Sequence, residues 1–372
     1  MVTPKERVLK ALNLETPDRV PLVPQLQQFA ARYAGITMEE HLFDTEKCAG
    51  AFDVTWRGLG GWDAWVMAPR PEGFVNDLRP IPIAQPGREL PPDVMYQVHE
   101  KPIMTVDDYE RILDVGYKAF LRDYFFRLHP DWQSTTLHER AVLIRDLQKA
   151  AIAKYEAQNV PTLVGGIAET PFDEISQMRS FEEFTFDLFR RPDLVERVLR
   201  VVTKDITDTA LRMAKGAGGL AVWIAGLRSS CAFVSPAQFE RFVWPSIQYM
   251  VEHIIDAGFY AYLHLDQDWT KNLPYLRSLP RGKCLVHFDG WTDIFKAKEV
   301  LRDHMCIMGD VGPTLLTLGS PDEVSQYCRK LIDGLAPGGG FLLGSGCELA
   351  PDAKRENVEA MFETCREYGA YS

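Results

Sequence analysis

Short, continuous apolar runs alternate with longer stretches of helical periodicity through the second half of the chain. The runs 161–164, 220–224, 259–263, 284–288, 305–308 and 341–343 have strand length. They show no polar alternation, which is the pattern of strands buried on both faces. The intervening helices have legible starts. Thr3-Pro-Lys-Glu6, Ser180-Phe-Glu-Glu183, Ser235-Pro-Ala-Gln238 and Ser320-Pro-Asp-Glu323 all read as capping boxes. Three of them carry proline at the first helical position, where the missing N–H costs nothing. After Ser235, the residues Phe239, Phe242, Val243, Ile247, Met250, Val251, Ile254 and Ile255 keep helical spacing, and Gly258 supplies the stop.

Strand–helix alternation from about residue 160 onward predicts an α/β protein with a parallel sheet. No Gly-x-Gly-x-x-Gly follows an early strand, which disfavours a dinucleotide-binding sheet. A single TIM-like (β/α)8 barrel with an N-terminal helical extension fits the length and the number of units. Residues 56–110 break the rhythm with Gly58, Gly60, Gly61 and prolines 69, 71, 80, 82 and 86. They are expected to form an irregular excursion over the barrel mouth.

Composition narrows the function. The 372 residues are 46% hydrophobic and 25% charged, enough for a large core. A net charge of -11, with no Lys/Arg block, argues against nucleic acid as a partner. No apolar segment is long enough to span a bilayer, and the N-terminus lacks a signal-peptide pattern. Seven scattered cysteines, with Cys284 and Cys306 inside apolar runs, read as reduced thiols. The expectation is a cytoplasmic protein without disulfides.

In a parallel barrel the C-terminal strand ends face one cavity. Those ends deliver Glu169, Arg228, His264 with Asp266, Asp289, Asp310, and Cys347 with Glu348. Some have simpler explanations. Asp289-Gly290 and Asp310-Val-Gly312 also suit turns, Glu169 and Arg228 could pair with each other as a structural ion bridge, and His287 suits packing or support of a ligand better than direct ligation. Imidazole, carboxylate and thiolate are the side-chain types that hold zinc. His264, Asp266 and Cys347 form a metal site if the barrel brings them together.

Several motifs carry a family resemblance. Thr3-Pro-Lys-Glu-Arg-Val-Leu-Lys-Ala-Leu, Pro17-Asp-Arg-Val-Pro-Leu-Val-Pro24, Gly309-Asp-Val-Gly-Pro313 and Gly319-Ser-Pro-Asp-Glu-Val324 resemble the uroporphyrinogen decarboxylase superfamily. So does Gly344-Ser-Gly-Cys-Glu348 followed by Glu356-Asn-Val-Glu-Ala360. The resemblance covers nearly the whole chain, is strongest after residue 260, and implies one barrel domain over 1–372. Its decarboxylase branch carries Arg-x-x-x-Arg-Tyr near the N-terminus. Here Gln28-Phe-Ala-Ala-Arg32-Tyr33 keeps one arginine and lacks the other, which counts against a substrate with eight carboxylates.

The corrinoid-dependent methyltransferase branch binds zinc through His-x-Cys and a distant Cys. The resemblance therefore implies His264 and Cys347 as ligands, with Asp266 in place of the middle cysteine. It also implies a corrinoid (cobalamin) carried on a partner protein, and a small methylated substrate, such as a methyl ether, or a thiol. Glu169, Asp310 and Glu348 are candidate catalytic groups, and Arg32, Arg228 and Asp289 candidate substrate contacts. The alternative is a metal-free decarboxylase with a cationic pocket around Arg32, Arg57 and Arg228.

Overall fold

A computed structural model describes residues 2–371. Seven strands form one curled sheet: β1 (Trp65–Met67), β2 (Thr162–Glu169), β3 (Ala221–Gly226), β4 (Tyr260–Leu265), β5 (Cys284–Phe288), β6 (Cys306–Val311) and β7 (Phe341–Ser345). Every adjacent pair is parallel and follows chain order. The long helices Pro192–Ala217, Trp244–Asp256 and Pro321–Leu335 pack their apolar faces on the outside. The architecture is TIM-like.

The segment 20–25 brings the two sheet edges together. On one side Val23 N–H donates to the Leu343 carbonyl at 2.8 Å, and Leu343 N–H donates to the Pro21 carbonyl at 2.9 Å. On the other side Asp63 N–H donates to the Leu22 carbonyl at 2.8 Å. The buried Asp63 carboxylate accepts from Arg7 (2.6 Å), Arg19 (2.7 Å) and Leu22 N–H (2.8 Å). One carboxylate thus ties the first helix, Pro4–Leu12, to the closing segment and to the entry of β1.

Although both sheet faces are buried, alternation still sorts the side chains. Val222, Ile224, Ala261, Leu263, Cys284, Val286 and Ile307 pack outward against helices. Trp223, Tyr262, Leu285, Met308 and Leu342 fill the interior with Val8, Ala11 and Leu12 of the first helix. The interior register carries His264 two residues beyond Tyr262 and His287 two beyond Leu285. These histidines are paired across β4 and β5.

The structure departs from the sequence reading in four places. Several strands run past their apolar runs, because Gly165-Gly166, His264-Leu265, Gly309-Asp310 and Gly344-Ser345 remain in the ladder. The stretch 56–110 is not wholly irregular: it begins with the end of helix Thr45–Gly58 and contains β1. The Ser180 cap is half a box, since Ser180 accepts from Glu183 N–H while the Glu183 carboxylate pairs with Arg179. Beyond Ser235 the helix contains a π-type turn, Phe239–Val243, in which Trp244 N–H reaches the Phe239 carbonyl. Pro245 explains it, because proline has no N–H and its ring clashes with the carbonyl four residues earlier.

No described helix is long and apolar enough to cross a membrane. All seven cysteines are free.

Candidate metal centre

β4 ends in Tyr-Leu-His-Leu and delivers His264 to the barrel interior, with Asp266 in the first loop residue. Asp266 is held by main-chain bonds: its N–H donates to Gly226, and its carbonyl accepts from Trp269 Nε1 at 2.9 Å. The next residue, Gln267, has φ +69, a left-handed conformation that costs a non-glycine residue about 1–2 kcal/mol. Its N–H donates to Asp289 Oδ2 at 2.8 Å.

Cys347 arrives from β7 through Gly346, whose N–H donates to Val311 at 2.9 Å. A Cβ at Gly346 would meet the Asp289 carbonyl at 2.6 Å. Only glycine lets this loop pass so close to the β5 loop and set the thiol beside His264.

His264 Nε2 lies 3.1 Å from Asp266 Oδ1 and 3.7 Å from Cys347 Sγ. The three ligand atoms lie within 4.8 Å of one another. Zinc bonds of about 2.0–2.3 Å in tetrahedral array place N and O ligands about 3.3 Å apart, and N and S ligands about 3.6 Å apart. The observed spacings already fall near those values.

Proton bookkeeping strengthens the fit. His287 Nε2 lies 2.8 Å from the Ser345 carbonyl, which can only accept, so this nitrogen carries the proton. Burial first, and then the neighbouring His264, hold His287 well below the usual imidazole range, and it is neutral. Its Nδ1 can then only accept, and His264 Nδ1 lies 2.9 Å away. His264 therefore donates from Nδ1, sharing that acceptor with the Tyr262 hydroxyl at 2.9 Å, and turns Nε2 toward Asp266 and Cys347, an assignment made from the network.

Asp266 Oδ1 is buried with no hydrogen-bond partner among the described residues. Burial, then Asp266 and Glu348, push the Cys347 thiol upward. His264 Nε2, Asp266 Oδ1 and Cys347 Sγ thus face one point. A divalent cation at that point would be ligated by all three and would deprotonate the thiol.

The centre opens into a cleft of about 1130 Å³. Asp266, Cys347, Arg228, Asp289 and Asp310 line it. Asp310 is buried, and Tyr327 donates to its Oδ1 at 2.6 Å. Burial pushes Asp310 up to about 7 despite that bond. Burial, then the nearby Glu72, push Glu348 up to about 8, against the pull of Arg79 and Arg70.

The other candidate residues are engaged elsewhere. Asp289 spends its oxygens on the N–H groups of Gln267 and Trp291, which fits the turn reading. Glu169 and Arg228 do not pair with each other. Glu169 is bonded by Arg79 and Gln177, and Arg228 pairs with Glu100 at 2.6 Å. Arg32 is exposed, pairs with Asp93 at 2.6 Å, and does not line the cleft.

Sequence reasoning missed Asp173 altogether. This buried carboxylate accepts from Leu227 N–H, Arg228 N–H and the Ser229 hydroxyl, and so clamps the loop after β3. Its Thr170-Pro-Phe-Asp173 spacing, a helix start with the carboxylate at the third position, was the available signal.

Fold and centre define a TIM-like barrel with a His/Asp/Cys cluster at the C-terminal strand ends. The chain belongs to the uroporphyrinogen decarboxylase (URO-D) family, whose pattern matches residues 145–368. The uroporphyrinogen decarboxylase of Syntrophotalea carbinolica is 24% identical over 171 residues, 46% of this chain and 48% of that protein. The one from Chlorobium phaeobacteroides is 25% identical over 228 residues, 58% and 62% of the two chains. The chain thus spans about half to just under two thirds of the length of these relatives. A methyltransferase from Methanosarcina mazei shares the fold, with a TM-score of 0.67, 20% identity and 99% coverage of both chains.

Proposed function

We propose that residues 1–372 work as one barrel domain of a zinc-dependent methyltransferase. It would move a methyl group between a small methylated substrate, or a thiol, and a corrinoid carried on a partner protein. The observation carrying this reading is the convergence of His264 Nε2, an orphaned Asp266 oxygen and Cys347 on one point. Three protein ligands leave a fourth position for substrate. Zinc held there would supply Lewis acidity to the heteroatom that carries or receives the methyl group.

The chain's own residues have separable tasks. His287 fixes the His264 tautomer, and Gly346 and the Gln267 turn hold the other two ligands in reach. Asp310, across the cleft and raised by burial to about 7, can give a proton to a leaving heteroatom, with Tyr327 fixing which oxygen is free. Glu348 is the second proton-holding carboxyl. Glu169, committed to Arg79 and Gln177, orients rather than transfers.

The names of the curated relatives favour a second reading, a metal-free decarboxylase. The cleft opposes it. Asp266, Asp289, Asp310 and Glu323 line it against one cation, Arg228, already paired with Glu100. A substrate with many carboxylates would meet repulsion there.

The test is methyl exchange between cobalamin and a panel of methyl ethers and thiols, followed through cobalt absorption. Transfer should require zinc and disappear in His264→Ala and Cys347→Ala. Full transfer by metal-stripped protein and by both variants rejects the proposal. Metal-independent release of carbon dioxide from a porphyrinogen would establish the second reading.

A further inference from the structure

The cleft is lined by residues that follow β3 through β7, from Arg228 to Cys347. Beyond Cys347 the rim continues through the closing segment 20–25 and β1, which neighbour β7 in the closed sheet. Buried polar atoms without hydrogen-bond partners among the described residues occur at and just after the closing segment, and just after β1: Gln25 Oε1, Gln28 Nε2, Arg70 Nε, Glu72 Oε2 and both side-chain atoms of Asn76. Gln25 is fastened to the metal loop, accepting from Leu349 N–H at 2.9 Å and donating its own N–H to Ser345 Oγ at 3.2 Å. Glu348, next to Cys347, feels both Arg70 and Glu72.

Arg70 is the outlier. It follows β1, is 4% exposed, and makes one hydrogen bond, from Nη1 to the Ala68 carbonyl at 3.2 Å. No carboxylate stands in ion-pair contact with it among the described residues. The other buried arginines, Arg7 and Arg179, are each matched to aspartates. Ordered water could satisfy the orphaned amides, but water does not neutralise a buried guanidinium, which is costly unless paired. A planar cation held with its Nε free is preorganised for a bidentate oxyanion.

We infer that Arg70 recognises an oxyanion, a carboxylate in the first instance, on the small substrate, and that the Gln25–Arg70–Glu348 sector is the substrate chamber. The open cleft, with Asp310 on its wall, meets this chamber at the His/Asp/Cys cluster, so cleft and chamber reach the reacting atoms from two sides. The assignment rests on the proposed methyl transfer only in taking the His/Asp/Cys cluster as the reacting end of that chamber.

The test is calorimetric titration of the full chain with methoxyacetate and with its neutral counterpart 2-methoxyethanol, before and after metal stripping. Methoxyacetate should bind the more tightly. Arg70→Met should weaken it by about 10- to 100-fold, the worth of a charged hydrogen-bonded contact, and Arg70→Lys by less. Zinc content should be unchanged in both variants, and the Tm of Arg70→Met equal to or above that of the parent. Equal binding of the two probes, no binding of methoxyacetate, or parental affinity in Arg70→Met overturns the inference. So does a matching loss of Tm in both variants, which would mark Arg70 as structural. Arg70-dependent binding to a protein that never takes up zinc would leave this inference standing and remove the proposed function instead.

Discussion

Replacing His287 with phenylalanine tests whether its Nδ1 presets the His264 tautomer that the proposed zinc site needs. In the parent, His287 Nδ1 takes the His264 Nδ1 proton at 2.9 Å, and its own Nε2–H is tied to Ser345 at 2.8 Å. Without that acceptor, His264 can carry its proton on Nε2 and give it to Asp266, already 3.1 Å away. A metal must then displace that proton and a hydrogen bond. Outer-shell partners of this kind are worth about 10- to 100-fold in metal affinity, or about 1.4–2.7 kcal/mol. His287 is fully buried, so phenylalanine also orphans the Ser345 carbonyl and costs about 1–3 kcal/mol of stability. His287→Gln, whose amide oxygen can still accept from His264, separates the two effects. Zinc affinity measured by competition with a chromogenic chelator should fall by the stated factor in His287→Phe and by less in His287→Gln. If folded His287→Phe binds zinc within about twofold of the parent, the tautomer argument is wrong.

Two further predictions concern the frame and the acid. Asp63→Asn leaves Arg7 with Asp18 alone and weakens the closing segment. It should cost about 3 kcal/mol, the low end for breaking a buried pair, and a loss under about 1 kcal/mol in urea unfolding would contradict the assigned role. Asp310 is a carboxyl raised from 3.8 to about 7, so the folded state holds a proton that the unfolded state has released between those values. Its contribution must therefore weaken stability as pH rises from about 4 to about 7, by at most about 1.4 kcal/mol per pH unit. Asp310→Asn should flatten that slope in urea unfolding followed across the window; an unchanged slope places the proton elsewhere.

Much of the barrel, and the meeting of its strand-end residues, is legible in the chain. The apolar runs located six strands because both sheet faces are buried, and the caps at Thr3, Ser235 and Ser320 formed as full boxes. The runs stop short of the strand ends. His264, Asp310 and Gly344-Ser345 are polar or small but remain in the ladder, so a hydrophobicity pattern ends before the backbone does. β1 was hidden because it has three residues, Trp65–Met67, in a proline- and glycine-rich stretch. The closing segment 20–25 was hidden because its partners are distant in sequence. Strand-end reasoning gathered His264, Asp266, Cys347 and Asp310 at one rim. It could not foresee that Arg32 would be held by Asp93, or Arg228 by Glu100, since such pairings depend on where the excursion lands.

The central claim is that His264, Asp266 and Cys347 are a zinc site. Elemental analysis of the protein purified with zinc present, beside Cys347→Ala treated identically, tests it most directly. One zinc per chain is expected in the parent and near-complete loss in the variant. A metal-free parent, or a Cys347→Ala protein that keeps its zinc, would contradict it.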